Sequence, residues 1–321
     1  MNKNNHINEI VRTLQNAKNI LILPHIMPDG DTIGSSMALY LALKKMNKVP
    51  YILLKDSLPS NIKFLEYEHI HSAMDENFIP DVVVAIDCSD LGRLKERQSY
   101  ITTNVITINI DHHITNTHFA DINFVFSQAA ATGELIYNII KGLNVEFDKK
   151  IATCIYTSLS TDTGNFKYDN TSSHTHRIAA ELLEKEVDIN FVSTQVYQNK
   201  SVSKVKLLKE VLNTLTFHIN DKLAIMYVTK DMIALTESKL EDADGLTEFA
   251  RDIEGIEVGV LLKQVSDHEI KVGLRSKYDI DVSKIAEKLG GGGHKKASGC
   301  TIFQDIETAK QTIIGKIQEY M

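Results

Sequence analysis

Short, nearly uninterrupted apolar runs alternate with segments of helical spacing along the first half of the chain. Residues 19–24 read NILILP, and Pro50–Leu54, Asp81–Ile86 and Val105–Ile110 repeat the pattern. A run of that length without polar alternation is what a strand covered on both faces requires. Between these runs, helical spacing of apolar residues predicts helices over 7–18, about 32–46, 129–141 and 148–160. Strands alternating with helices imply an α/β domain on a mostly parallel, doubly wound sheet.

From about Thr175 to Leu215 the pattern is helical throughout, interrupted by Lys185 and Glu186 and by the polar stretch Gln198–Ser201. Strand-like runs return at Lys222–Val228, Val258–Lys263, Glu269–Leu274 and Ser298–Phe303, interleaved with helical segments near 231–238, 245–253, 281–289 and 305–320. The expected organisation is a first domain over 1–185, a helical linker over 186–212 and a smaller α/β domain over 213–321, with a cleft between the two domains. No internal repeat or low-complexity tract interrupts it.

A length of 321 residues agrees with two domains, and 43% hydrophobic with 24% charged residues is ordinary for a globular chain. The net charge of -7 argues against a protein that coats long nucleic acid, which needs a broad basic face. A short anionic substrate at a local site remains compatible with it. No run approaches a membrane span, and the polar start MNKNNHIN lacks the apolar core of an export signal, so the expectation is a cytoplasmic protein without membrane attachment. Cys88, Cys154 and Cys300 are far apart, without the spacing of a zinc or redox pair, and read as buried thiols.

The chemistry gathers where strands stop. The first run ends in His25, Asp29 and Asp31, the third in Asp87 and Asp90, the fourth in Asp111, His112 and His113. In a doubly wound sheet ligands bind beyond the carboxyl ends of the strands, so these turns would face one place. Asp162, in TDTGNF, follows a helix and joins them by inference. Alone, each has a plainer reading: a DxD is a turn, and Asp31 would cap the next helix. Together, four aspartates and at least two histidines with no lysine or arginine in the same motifs would repel one another unless divalent cations sit among them. Oxygen and imidazole donors without thiolate favour Mn²⁺, Mg²⁺ or Fe²⁺ over structural zinc. Two such ions about 3.5–4 Å apart would activate water and stabilise a displacement at phosphorus. Of Asp111 and His113, one would orient His112 and the other face the phosphate.

A second group lies near the C-terminus. Gly290–Gly293 precede His294, Lys295 and Lys296, and their position between a helix and a strand favours a tight, anion-cradling loop over a linker. Gly291, Gly292, Gly293 and His294 are therefore candidate substrate contacts, joined by Arg275 and Ser276 at the end of a strand. From 263 to 296 there are eight lysines and arginines against five acidic residues, a locally basic segment in an acidic chain.

The stretches HIMPDGDTIGS, AIDCSD, IDHHITN, AAATGELIY, STDTGNFKYDNT, VGLRSK and GGGGHKKASGC occur in an order that resembles the DHH/DHHA1 phosphoesterases, specifically the bacterial nanoRNase and pAp phosphatase type. The resemblance implies a catalytic DHH domain followed by a substrate-binding DHHA1 domain. It also implies one metal on His25, Asp29 and Asp87 and another on Asp31, Asp87, His112 and Asp162, Mn²⁺ being usual. His113 would meet the scissile phosphate, and Arg275 and His294 would hold the substrate. The implied activity is hydrolysis of oligoribonucleotides of a few residues, and of pAp to AMP. A cyclic di-AMP or pApA phosphodiesterase is the nearest alternative, then a pyrophosphatase or exopolyphosphatase, then a non-catalytic nucleotide-binding module. Against pyrophosphate, Phe166, Tyr168 and Tyr278 offer stacking surfaces for a base. The preferred substrate, the cellular metal, RNA polarity and the choice between monomer and homodimer are not legible in the motifs.

Overall fold

The computed structural model describes residues 3–65 and 67–321; Met1 and Asn2, at the start of the polar N-terminal stretch, lie outside the described residues. The chain divides into two compact units, Met1–Asn199 and Lys200–Met321.

In the first unit, β1 (Asn19–Pro24), β2 (Val49–Leu53), β3 (Ile70–His71), β4 (Val82–Ile86), β5 (Ile106–Asp111) and β6 (Ile122–Val125) form one parallel sheet in the order β3-β2-β1-β4-β5-β6. Each apolar run divides its residues between two faces, as a strand's two-residue period requires. Ile20, Ile22, Val84 and Ile86 face a core shared with α1 (Lys3–Asn16), α2 (Gly30–Lys45), α3 (Thr132–Gly142) and α4 (Lys149–Asp162). Leu21, Leu23, Val83 and Ala85 face a second layer with Leu94 and Leu91, from the 3₁₀ stretch Leu91–Tyr100. One face is thus covered by α-helices and the other by 3₁₀ turns and loops.

Helices α2, α3 and α4 approach very closely. A Cβ at Gly34 would overlap the Cys154 carbonyl, one at Gly30 the Thr161 side chain and one at Gly133 the Ser158 hydroxyl. Bare backbone at these three places brings residues on α2 and the start of α3 into hydrogen-bonding range of α4.

The segment 186–212, expected as a helical linker, is shared between the units. Helices α5 (Ser173–Leu183) and α6 (Ile189–Ser193), continued by a π turn over Thr194–Gln198, belong to the first. Leu207 and Val211 of α7 (Val202–Leu212) are buried in a core of the second.

The second unit is a mixed sheet in the order β11-β12-β10-β9-β8-β7, from β7 (Thr216–His218), β8 (Leu223–Val228), β9 (Val258–Ser266), β10 (Glu269–Ser276), β11 (Gly292–His294) and β12 (Ala297–Ile302). Helices α8 (Lys230–Leu235), α9 (Thr247–Asp252), α10 (Val282–Lys288) and α11 (Ile306–Gln318) complete it. The pair β8–β9 is parallel and the other pairs antiparallel. Cys88, Cys154 and Cys300 are buried and unbridged, as expected. Among the described residues no helix is long and apolar enough to cross a membrane.

Candidate metal centre

Strand order fixes where the acidic turns meet. β1 and β4 are neighbours at the point where the sheet order reverses, and β5 lies beside β4. His25 follows the end of β1, Asp87 follows β4, and Asp111 ends β5 with His112 and His113 after it. Asp162 is the last residue of α4.

The side chains converge. His25 Nε2 lies 3.3 Å from Asp87 Oδ2 and 3.8 Å from Asp29 Oδ2. His112 Nε2 lies 3.4 Å from Asp162 Oδ2, 3.7 Å from Asp31 Oδ2 and 3.8 Å from Asp87 Oδ1. Among the described residues, donor atoms within 4.8 Å of one another form three sets: His25, Asp29 and Asp87; Asp31, His112 and Asp162; Asp87, His112 and His113. Asp87 turns one oxygen to each imidazole, which is the geometry of a shared carboxylate. It does so from a left-handed backbone, φ 59°, at the abrupt end of β4.

Both histidines are oriented through their other nitrogen. His25 Nδ1 is 2.6 Å from the Ile26 carbonyl and His112 Nδ1 is 3.1 Å from the Ala129 carbonyl. A carbonyl only accepts, so each Nδ1 carries the proton and each Nε2 faces the carboxylates. Asp111, fully buried, bonds His113 Nδ1 at 2.7 Å and takes Asn116 Nδ2 on its other oxygen at 2.5 Å. The sequence left open that Asp111 or His113 orients His112; a backbone carbonyl does so, and Asp111 orients His113. Asp29, not Asp31, caps α2, its Oδ1 accepting from the N–H groups of Asp31 and Thr32.

Asp31 has a more elaborate setting. It accepts from the N–H groups of Thr132 and Gly133 at 2.8 and 3.2 Å, at the start of α3, and from Ser35 and Ser158 Oγ at 3.1 and 2.5 Å. Thr132 Oγ1 donates to Asp87 Oδ1 at 2.9 Å. Thr132, Gly133 and Ser158 did not emerge as individual site residues from the sequence; AAATGELIY was the only signal for the first two.

Burial and mutual proximity shift the titratable groups of the centre in both directions. Burial pushes His25 down, but hydrogen bonds and charge from Asp29 and Asp87 outweigh it and raise the imidazole to about 10. Burial likewise opposes, and Asp162, Asp31 and Asp87 overcome, to hold His112 at about 10. Burial and the neighbouring Asp87 and Asp162 raise Asp31 well above the usual carboxylate range. Burial lifts Asp162 to about 7 against the pull of His112. Asp87 is held low: burial works against this, and His25, His113 and His112 prevail. His25, His112, Asp31 and Asp162 thus hold protons more tightly than usual, whereas Asp29 and Asp87 hold theirs less tightly. Six oxygen and imidazole donors with one shared carboxylate fit two divalent ions, and the nearby Cys88 thiol, pushed well up by burial, is turned to the Ile86 carbonyl.

The second unit assembles its own pair. Ala297 of β12 stands opposite Arg275 of β10 on one side and His294 of β11 on the other. Directly opposed residues project from the same sheet face, so Arg275 and His294 share a face, two strand spacings or about 10 Å apart. Arg275 Nε donates to Glu248 at 3.0 Å and its Nη1 to the Leu274 carbonyl at 3.1 Å, which fixes the guanidinium plane. Ser276 projects oppositely and is 3% exposed, with its N–H on the Lys296 carbonyl, so its hydroxyl offers no accessible surface to a substrate. The glycine run is also not the expected loop. Gly292–His294 is an edge strand closed onto β12 by Lys295 and Lys296. Its glycines serve close backbone approach: a Cβ at Gly291 would overlap the Gly299 carbonyl, and Gly293 holds φ 143°.

Comparison with known proteins covers most of the chain. The DHH family, N-terminal domain, matches residues 19–159 and the DHHA1 domain matches residues 220–321. The Thermus thermophilus protein named bifunctional oligoribonuclease and PAP phosphatase NrnA is 34% identical over 302 residues, covering 94% of this chain and 89% of that one. A Bacillus subtilis protein of the same name is 26% identical over 92% of this chain and 93% of its own. The crystal structure of an exopolyphosphatase-related protein from Bacteroides fragilis superposes with a TM-score of 0.91 at 26% identity, covering 99% of this chain and 96% of that one. This chain belongs to the DHH family, its N-terminal DHH domain followed by a DHHA1 domain.

Proposed function

We propose that the protein is a two-metal phosphoesterase that hydrolyses oligoribonucleotides of a few residues to mononucleotides and pAp to AMP, with Mn²⁺ as its metal. The observation that carries the reading is Asp87, whose two oxygens reach two separate imidazole and carboxylate sets. His25, Asp29 and Asp87 would hold one ion, and Asp31, Asp87, His112 and Asp162 the other. Bound there, the pair supplies an activated water and charge stabilisation at the attacked phosphorus. The relatives named for oligoribonuclease and PAP phosphatase activity support the substrate class.

The protein's own groups then have definite tasks. Asp111 occupies His113 Nδ1, so Nε2 is the atom that meets a phosphate oxygen. Burial lowers the affinity of His113 for its proton, but Asp111 and Asp87 more than restore it, which favours a charged ring facing that oxygen. Arg275 and His294 grip the nucleotide's anionic end, and Gly291–Gly293 let it approach the backbone. Ser276 contributes through its backbone, which anchors the hairpin that carries His294.

The test is a side-by-side rate comparison on pAp, pApA, a five-nucleotide RNA, cyclic di-AMP and pyrophosphate with Mn²⁺. Highest kcat/KM on the short RNA and pAp is expected. Preference for cyclic di-AMP or pApA would make this a second-messenger phosphodiesterase, and preference for pyrophosphate would overturn the nucleotide reading.

A further inference from the structure

Asp162 differs from the other candidate ligands in where it stands. It ends α4, where the last carbonyls have no partner within the helix, and no strand end fixes it. The chain after it turns back sharply: Gly164, Asn165 and Phe166 all hold positive φ, and the N–H groups of Lys167 and Tyr168 bond the Thr163 carbonyl. This returns Asn170 to the helix end. Its Nδ2 donates to the Asp162 carbonyl at 3.1 Å and to the Ala130 carbonyl at 3.0 Å.

Those two carbonyls belong to the two segments that build one half of the centre. The Ala130 peptide adjoins Ala129, whose carbonyl orients His112, and precedes Thr132 and Gly133, whose N–H groups hold Asp31. We propose that Asn170 is a positioning residue for the metal site formed by Asp31, His112 and Asp162, its single amide fastening the end of α4 to the start of α3. The inference rests on the two-metal reading above. The other set is oriented without it, His25 through the Ile26 carbonyl and Asp29 through its cap on α2. Asn170 itself is exposed, so replacing it leaves no cavity in the core.

The experiment is a calorimetric titration of metal-free protein with Mn²⁺ alone, comparing wild type with Asn170→Ala and Asn170→Gln, alongside metal-free melting temperatures. Wild type is expected to bind two ions. Asn170→Ala is expected to weaken one site by about 10–100-fold, the range for losing a group that orients a ligand, and to leave the other unchanged. Asn170→Gln, which keeps both donors on a longer arm, is expected to recover part of the loss. Two unaltered sites in Asn170→Ala would overturn the inference, as would equal weakening of both sites in step with a lower melting temperature, the mark of general loosening. A wild-type titration without two sites would instead overturn the metal reading, and this inference with it.

Discussion

Metal binding at this centre is expected to be strongly proton-linked, because its donor atoms hold protons when no cation is there. His25 and His112 sit at about 10 and Asp162 at about 7. At pH 7 both imidazoles are charged and the carboxyl groups of Asp31 and Asp162 hold protons more tightly than usual, so filling both sites releases at least about two protons, with further contributions from Asp31 and Asp162. Each released proton makes apparent affinity rise about tenfold per pH unit. The site with His25 should gain about that factor per unit between pH 6 and 9. The site with His112 and Asp162 should climb more steeply below pH 7 than above it. In the metal-free protein these raised groups stabilise the fold fully below their unfolded values, roughly 3.9 for aspartate and 6.5 for histidine. That contribution fades as pH rises through about 7 for Asp162 and about 10 for the histidines, so the melting-temperature gain from Mn²⁺ should grow with pH. Titration calorimetry in buffers of different ionisation enthalpy counts the protons directly. Release of fewer than one proton at pH 7, or an affinity flat from pH 6 to 9, would refute the electrostatic reasoning.

Further substitutions separate charge, backbone and packing. Asp87→Asn keeps a side chain tolerant of φ 59° and should abolish both metal binding and hydrolysis; Asp87→Ala should do the same and cost about 1–2 kcal/mol more in stability, read from denaturant unfolding. Gly133→Ala forces a methyl onto the Ser158 hydroxyl and should cost about 1–3 kcal/mol, whereas Gly315→Ala, in open space on α11, should stabilise by about 0.5–1 kcal/mol. Equal melting temperatures for the two glycine variants would contradict the close helix crossing. Arg275→Ala and His294→Ala should raise KM for short nucleotides with metal content unchanged, as elemental analysis would show; loss of metal in either would contradict the division of labour between the units.

Much of this was legible in the sequence where burial leaves a strong pattern. The runs that became β1, β2, β4 and β5 were readable to within a residue because both faces of the sheet are covered. The short strands β3, β6, β7 and β11 were not, since two to four residues carry no period. Gly292–His294 presents no apolar side chain at all, and only its pairing with β12 makes it a strand. Within the centre, the candidate ligands were singled out by residue type and, for all but Asp162, by chain turns at strand ends facing one crevice. Their supports did not: Thr132 and Ser158 reach Asp31 across 101 and 127 residues of sequence, through a helix crossing that three separated glycines make possible. A cap and a ligand are also hard to distinguish in a DxD turn, and here Asp29 serves as cap while both aspartates face the histidines.

The most direct test is anomalous diffraction at the manganese edge from a crystal grown with excess Mn²⁺. Two peaks about 3.5–4 Å apart with Asp87 between them are expected. A single peak, or peaks beyond reach of Asp87, would contradict a centre organised around one shared carboxylate.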